Sequence, residues 1–393
     1  MVRTAVLCLI LLSGCASAPP VDVSGSARLF DDARFKSAPV REIGDDPFAV
    51  SESMREYLAG DIASRMRITS RQRALFDALY RKDELKLEYD STLTRSAAQA
   101  FEARAGNCLS LVLLTAALAR ELGLKVQFQT VYTDQTMTRS GGIVYLSGHV
   151  NLTLGSQDRE GRFVNQGNDA MTIDFLPSKQ QGERRARVIR EATILAMYFN
   201  NRAAEALAAG TLDDAYWWLR KAIQNDPTFM PAYNTLGVIY KRHGDLVQAE
   251  TAFNYVIERE PGNATPISNL IAVLNESGRS AEAAPWARKL QQIEPYPPFH
   301  FFDLGMAAMK AKDYPAARDL FSREVARAAY YHEFHAWLAA AQHELGQTEM
   351  ARKHLQIALI NSSTPAEHAL YASRIEAISA KRRLLRSPEA SRR

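Results

Sequence analysis

The stretch Tyr233-Asn234-Thr235-Leu236-Gly237-Val238-Ile239-Tyr240, followed by Ala249, Phe253 and Pro261, decides the fold of the second half of this chain. Its residues recur at a spacing of 34. Gly210, Gly244, Gly278 and Gly346 fall in register, with Lys312 at the one step that lacks glycine. Ala215, Ala249, Ala283, Ala317 and Ala351 keep the same register, as do Pro227, Pro261 and Pro295. A period of this length describes a stacked array of helical hairpins rather than one closed core. Each position has a steric task. Gly237 and Ala249 let two antiparallel helices approach, Leu236, Tyr240 and Phe253 fill the space between hairpins, and Pro261 ends the second helix.

This pattern resembles the tetratricopeptide repeat. The resemblance implies five helix pairs over residues 191–365, beginning near Ala196, Met230, Ala264, Pro298 and His332, then a capping helix and a basic tail over 366–393. The third and fourth units depart from the pattern, with Ile271 and Glu324 where small residues are usual. Stacked pairs curve to expose a concave groove. The first helix of each unit should line it with Asn200, Asn234, Val238, Ser268, Ala272, Phe302 and Met306. A protein or peptide is the expected partner, although the Lys/Asn set by which some members clamp a peptide carboxylate is missing. His332 and His335 flank Glu333. With no third ligand they read as a surface pair, and neither a metal nor another cofactor is expected.

Upstream, the informative run is Ala105-Gly106-Asn107-Cys108, followed by the apolar stretch Leu109 to Leu122 and then Gly123. It reads as a buried helix with Asn107 as N-cap and Gly123 as the stop. Cys108 then lies in the first turn, where free N–H groups and the helix dipole favour a thiolate. A cysteine among leucines is also an ordinary small core residue. Ser51 and Ser70 look like helix starts, and Tyr80 to Tyr89 continues the helical pattern. Lys125 to Tyr132 alternates like a strand, Ile143 to Leu154 is strand-rich, and Phe163-Val164 and Met171 to Phe175 are short strands. Alternation puts His149, Asn151 and Thr153 on one face and Val150, Leu152 and Leu154 on the other. Asp174 lies opposite Met171, Ile173 and Phe175 in its own strand. A nucleophile, a base and an orienting carboxylate would meet if these strands pair.

Gly106-Asn107-Cys108-Leu109-Ser110, the helix ending Ala119-Arg120-Glu121-Leu122-Gly123-Leu124, Gly148-His149-Val150-Asn151 and Ile173-Asp174-Phe175 together resemble the transglutaminase-like superfamily of cysteine enzymes. The resemblance covers roughly Leu85 to Pro177. It implies a papain-like α+β domain over 46–190 with a Cys108–His149–Asp174 triad, in which Cys108 attacks an acyl carbonyl, His149 carries the proton and Asp174 orients His149. Asn165 stands at a more usual distance from the histidine and competes with Asp174 for the third role. The oxyanion would be held by the N–H of Cys108, with Tyr89 or Gln99 as side-chain candidates. Two functions follow. One is a thiol-dependent acyl transferase or peptidase, with amide hydrolysis favoured and the repeats recruiting a protein. The other is an inactive scaffold that works through its repeats alone.

At the N-terminus, Arg3 precedes the apolar run Ala5 to Leu12, which ends in Leu12-Ser13-Gly14-Cys15. This resembles the lipobox of bacterial lipoproteins. It implies a signal peptide over 1–14, a lipidated Cys15 and a flexible linker over 15–45. Ala16 in place of an aspartate implies sorting to the outer membrane, facing the periplasm. The 393 residues carry a net charge of only +4, which gives no case for nucleic acid. With Cys8 in the signal and Cys15 acylated, Cys108 is left without a disulfide partner.

Overall fold

The computed structural model describes residues 25–36, 46–81, 85–140, 143–157, 163–164, 170–175, 186–362 and 364–386. Cys15 and Asn165 lie outside the described residues.

Two serines start the first helices as expected. The Ser51 side chain accepts from Met54 N–H ahead of α1 (Glu52–Tyr57), and Ser70 does the same from Arg73 N–H ahead of α3 (Arg71–Tyr80). Between them a π-turn leads into the short α2 (Ala63–Arg65). The helix expected to run on from Tyr80 to Tyr89 does not form. Arg81 is extended, Lys86 has a left-handed φ of 47°, and Glu88–Tyr89 forms a short strand β1. It pairs in parallel with β2 (Ala105–Gly106), setting Tyr89 beside Gly106. Between them runs α4 (Ala97–Ala103), started by a Ser96/Gln99 capping box.

The central helix α5 (Cys108–Glu121) is buried from Leu109 through Ala119. Each of its fully buried leucines contributes about 1.5–3 kcal/mol to this half. It packs on a sheet built around β3 (Lys125–Ser140) and β4 (Ile143–Gln157), paired antiparallel from Lys125↔Gly155 to Val131↔His149. Strand β5 (Phe163–Val164) and strand β6 (Met171–Ile173) pair with β4, and β7 (Ala186–Ile189) pairs with β3.

Five antiparallel helix pairs follow. They are α6 (Glu191–Ala209) with α7 (Leu212–Asn225), α8 (Met230–His243) with α9 (Leu246–Arg259), α10 (Ala264–Glu276) with α11 (Ser280–Ile293), α12 (His300–Lys310) with α13 (Tyr314–Arg327), and α14 (His332–Glu344) with α15 (Thr348–Ile360). The helix α16 (Pro365–Arg386) closes the described array. The hairpin glycines Gly210, Gly244, Gly278 and Gly346 all take positive φ, and Lys312 takes the same conformation at φ 61°.

Packing revises several steric assignments. The close neighbour of Gly237 is the Phe253 ring, 2.4 Å from where a Cβ would lie, and Gly305 meets Phe321 in the same way at 2.5 Å. The fourth unit therefore keeps the small-against-aromatic contact despite its departures elsewhere. Its Glu324 is fully buried because it caps a neighbour: Oε1 accepts from the Phe301 N–H at 2.8 Å and from Arg327. Phe302, expected in the groove, is buried among Phe299, Phe321 and Phe334. His335 is not on the surface either. It is 3% exposed and faces His354 on α15, while His332 bonds Tyr371 on α16.

One apolar core runs from Leu29 through the α5 leucines and the sheet into the first three repeat pairs as far as Ala283. The two halves of the chain thus share an interior. No described helix is long and apolar enough to cross a membrane.

Candidate functional site

Cys108 is half-buried at the first residue of α5. Asn107 builds the helix start around it: its Oδ1 accepts from both the N–H and the hydroxyl of Ser110, each at 2.9 Å. Ser110 Oγ in turn accepts from Arg95 N–H at 2.8 Å. Gly106 is required here, since a Cβ would lie 2.6 Å from Ser110 Cβ. The other end of the Asn107 amide donates to Thr94 Oγ1 at 2.9 Å. Thr94 is itself held by the first repeat helix, because Asn201 donates to its hydroxyl at 3.2 Å and its N–H donates to Glu205 Oε1 at 2.6 Å. Burial raises the Glu205 pKa against the pull of Thr94 and Arg202.

The β4–β6 register sets the other two members. Leu152 pairs with Ile173, so the next pair along places Asn151 opposite Asp174 and His149 diagonal to it. His149 is 3% exposed, and its Nε2–H donates to Asp174 Oδ1 at 2.7 Å. That bond commits Nε2 and leaves Nδ1 as the other ring nitrogen, with Cys108 near enough to act on the ring. Burial opposes a charged ring, but the hydrogen bond it donates to Asp174, its interaction with Cys108 and the charges of both outweigh it. The imidazole pKa is pushed up to about 9. Asn151 donates from Nδ2 to Asp174 Oδ2 at 3.1 Å, so both carboxylate oxygens are engaged. The Tyr80 hydroxyl donates to the Asp174 carbonyl at 2.9 Å, and the Tyr80 ring stacks on Phe175 with centroids 5.6 Å apart.

The structure sets His149 against Asp174 and places Cys108 near enough to act on the ring. Asn151 was legible too, as it shares His149's face. Tyr80, Thr94, Asn201 and Glu205 leave no local signal, because each reaches the site across a long stretch of chain. Of the two side chains suggested for an oxyanion, Gln99 is spent on its capping box, with Oε1 accepting from Ser96 N–H. Tyr89 is 39% exposed. Burial, then the charges of Cys108 and Asp90, push its pKa up, so it remains a neutral donor beside the thiol. The chemistry such a set can perform is proton transfer from a thiol to an oriented imidazole.

Along the repeats, Asn234 accepts from Asn269 at 3.0 Å, Ser268 is exposed, and Val238, Ala272 and Met306 are half-buried. Asn200 Oδ1 is buried with no hydrogen-bond partner among the described residues. No group of three or more His, Cys, Asp or Glu among the described residues is arranged to hold a metal.

A family model described as the tetratricopeptide repeat matches residues 218–251. No curated protein matches the chain. Among solved structures, the pilF product of Pseudomonas aeruginosa is 19% identical over 49% of this chain and 88% of its own, with a TM-score of 0.29. TTC0263, a repeat protein of Thermus thermophilus, is 15% identical over 45% of this chain and 97% of its own, with a TM-score of 0.28. MamA from Desulfovibrio magneticus RS-1 is 17% identical over 42% and 93%, with a TM-score of 0.25. Residues 218–251 thus match a tetratricopeptide repeat, and they lie within the array of stacked helix pairs.

Proposed function

We propose that this chain binds a protein partner along the groove of its repeats. The stacked helix pairs carry the reading, with half-buried or exposed polar and apolar side chains at Asn200, Asn234, Val238 and Ser268. Photo-crosslinking tests it. A crosslinker placed at Asn234 or Val238 is expected to join one polypeptide, and one at Val247, 73% exposed on a second helix, is not. Equal yields from both would rule out a groove-specific partner.

A second reading is favoured by the His149–Asp174 hydrogen bond beside Cys108. It makes residues 46–190 a transglutaminase-like thiol acyl transferase or peptidase. His149 Nδ1 takes the Cys108 proton, and Sγ attacks an amide carbonyl. The amine leaves with the proton from His149, and water hydrolyses the thioester. Alkylation by iodoacetamide at pH 6 distinguishes this reading from an inactive scaffold. His149→Ala is expected to slow labelling of Cys108 by about 10-fold or more, and Asp174→Asn by less. An unchanged rate in His149→Ala leaves repeat binding as the sole activity. The lipobox sequence supports the further proposal that Cys15 anchors the chain to the periplasmic face of the outer membrane.

A further inference from the structure

The segment Ser26–Lys36 lies on the repeats, folded into two 3-10 turns at Ser26–Leu29 and Asp32–Arg34. Its contacts have the character of ligand recognition. The Tyr240 hydroxyl reads the main chain twice, accepting from Asp31 N–H at 3.0 Å and donating to Leu29 O at 2.8 Å. At the far end, Trp217 Nε1–H donates to Lys36 O at 2.6 Å, and Lys36 N–H donates to Asp213 at 2.9 Å. Between these clamps the side chains are read. Asp32 accepts from the Tyr216 hydroxyl at 2.6 Å and pairs with Arg220 at 3.0 Å. Arg34 pairs with Asp245. Phe35 stacks on Tyr216 with centroids 3.9 Å apart and also meets His243 at 4.8 Å. Phe30 lies under the Arg220 guanidinium, 4.5 Å away.

We propose that α7 and the α8–α9 corner form a peptide-docking site specific for the sequence Phe-X-Asp-X-Arg-Phe, filled in cis by Phe30–Phe35 of this chain. The site uses none of the groove residues named above and does not depend on the thiol chemistry. Its recognition elements match that one pattern: a cation for the aspartate, a carboxylate for the arginine, and a tyrosine face for the last aromatic. Tyr216 and Tyr240 are fully buried, and the segment supplies hydrogen-bond partners to both hydroxyls. A polypeptide bearing the same pattern competes with the resident segment. That segment holds the site at an effective concentration of about the millimolar range, as expected for a short tether.

The test uses the full chain and a fluorescein-labelled peptide of the sequence Gly25–Lys36, read by anisotropy. In Asp32→Ala/Phe35→Ala protein the resident is weakened, and the peptide is expected to bind saturably, about 10-fold or more tighter than to the wild-type chain. Adding Arg220→Ala to that receptor should remove the binding, as should Asp32→Ala in the peptide. The single Asp32→Ala protein serves as receptor if the double variant loses its helical circular dichroism. The proposal is overturned if no saturable binding reaches a folded receptor at about 1 mM peptide, or if the Arg220→Ala receptor binds equally well.

Discussion

Lys312 holds a left-handed backbone, φ 61°, at the hairpin position where the other repeats place glycine. Its N–H still closes the end of α12 by donating to Met309 O at 3.0 Å, so the geometry is imposed by the hairpin and not by the side chain. A non-glycine residue there costs about 1–2 kcal/mol, and glycine gives back about 0.4–1 kcal/mol through the unfolded chain. Lys312→Gly is therefore expected to stabilise the array by about 0.5–1 kcal/mol, seen as a rise in denaturation midpoint. A fall in midpoint would show that the lysine side chain has a role of its own. At this scale the sequence was informative where a residue's duty is local. Asn107 capping a helix and His149 alternating along a strand follow from period and position. Glu324 did not, because its duty is to receive a backbone N–H from another helix.

Between elements, the histidines of the last repeat set a pH response. His335 Nε2–H donates to Ala329 O at 2.8 Å, so its Nδ1 accepts, and His354 Nδ1–H fills it at 3.0 Å. Burial lowers both imidazoles, and for His354 the neighbouring His335 and Lys353 bring the pKa to about 4. The unfolded chain titrates these groups near 6.5. Between pH 6.5 and about 4 the unfolded state takes up protons that the native state refuses. This contribution to stability is complete above 6.5 and falls as pH falls through that window. A loss on the order of 2 kcal/mol is expected for the α14–α15 contact, followed by urea denaturation from pH 7.5 to 4.5. His354→Asn should flatten the slope, and an unchanged slope would dismiss the pair as its source. The helix pairs were legible from a period of 34 because each contacts mainly its neighbour. The stretch from Tyr80 to Tyr89 was misread because helical spacing carries no trace of a parallel pairing with Ala105–Gly106.

Across the whole molecule, what the sequence does not display is contact at long range. Tyr240 meets Leu29 across 211 residues and Asn201 meets Thr94 across 107, and neither pairing belongs to a periodic pattern. A boundary near residue 190 is legible as a change of periodicity, from strands to repeats. The shared core and the Thr94 link cross that boundary. The Thr94 link also bears on ancestry. Repeat arrays travel between genes as interchangeable cassettes, but this one carries Asn201 and Glu205 in its opening helix, and these hold the loop that supports the Cys108 helix cap. A cassette from another gene spliced in after residue 190 would bring a groove and take away that brace. Changes at the far end of the array leave those contacts in place, whereas exchange of the first hairpin removes them together with the support of the Cys108 helix start.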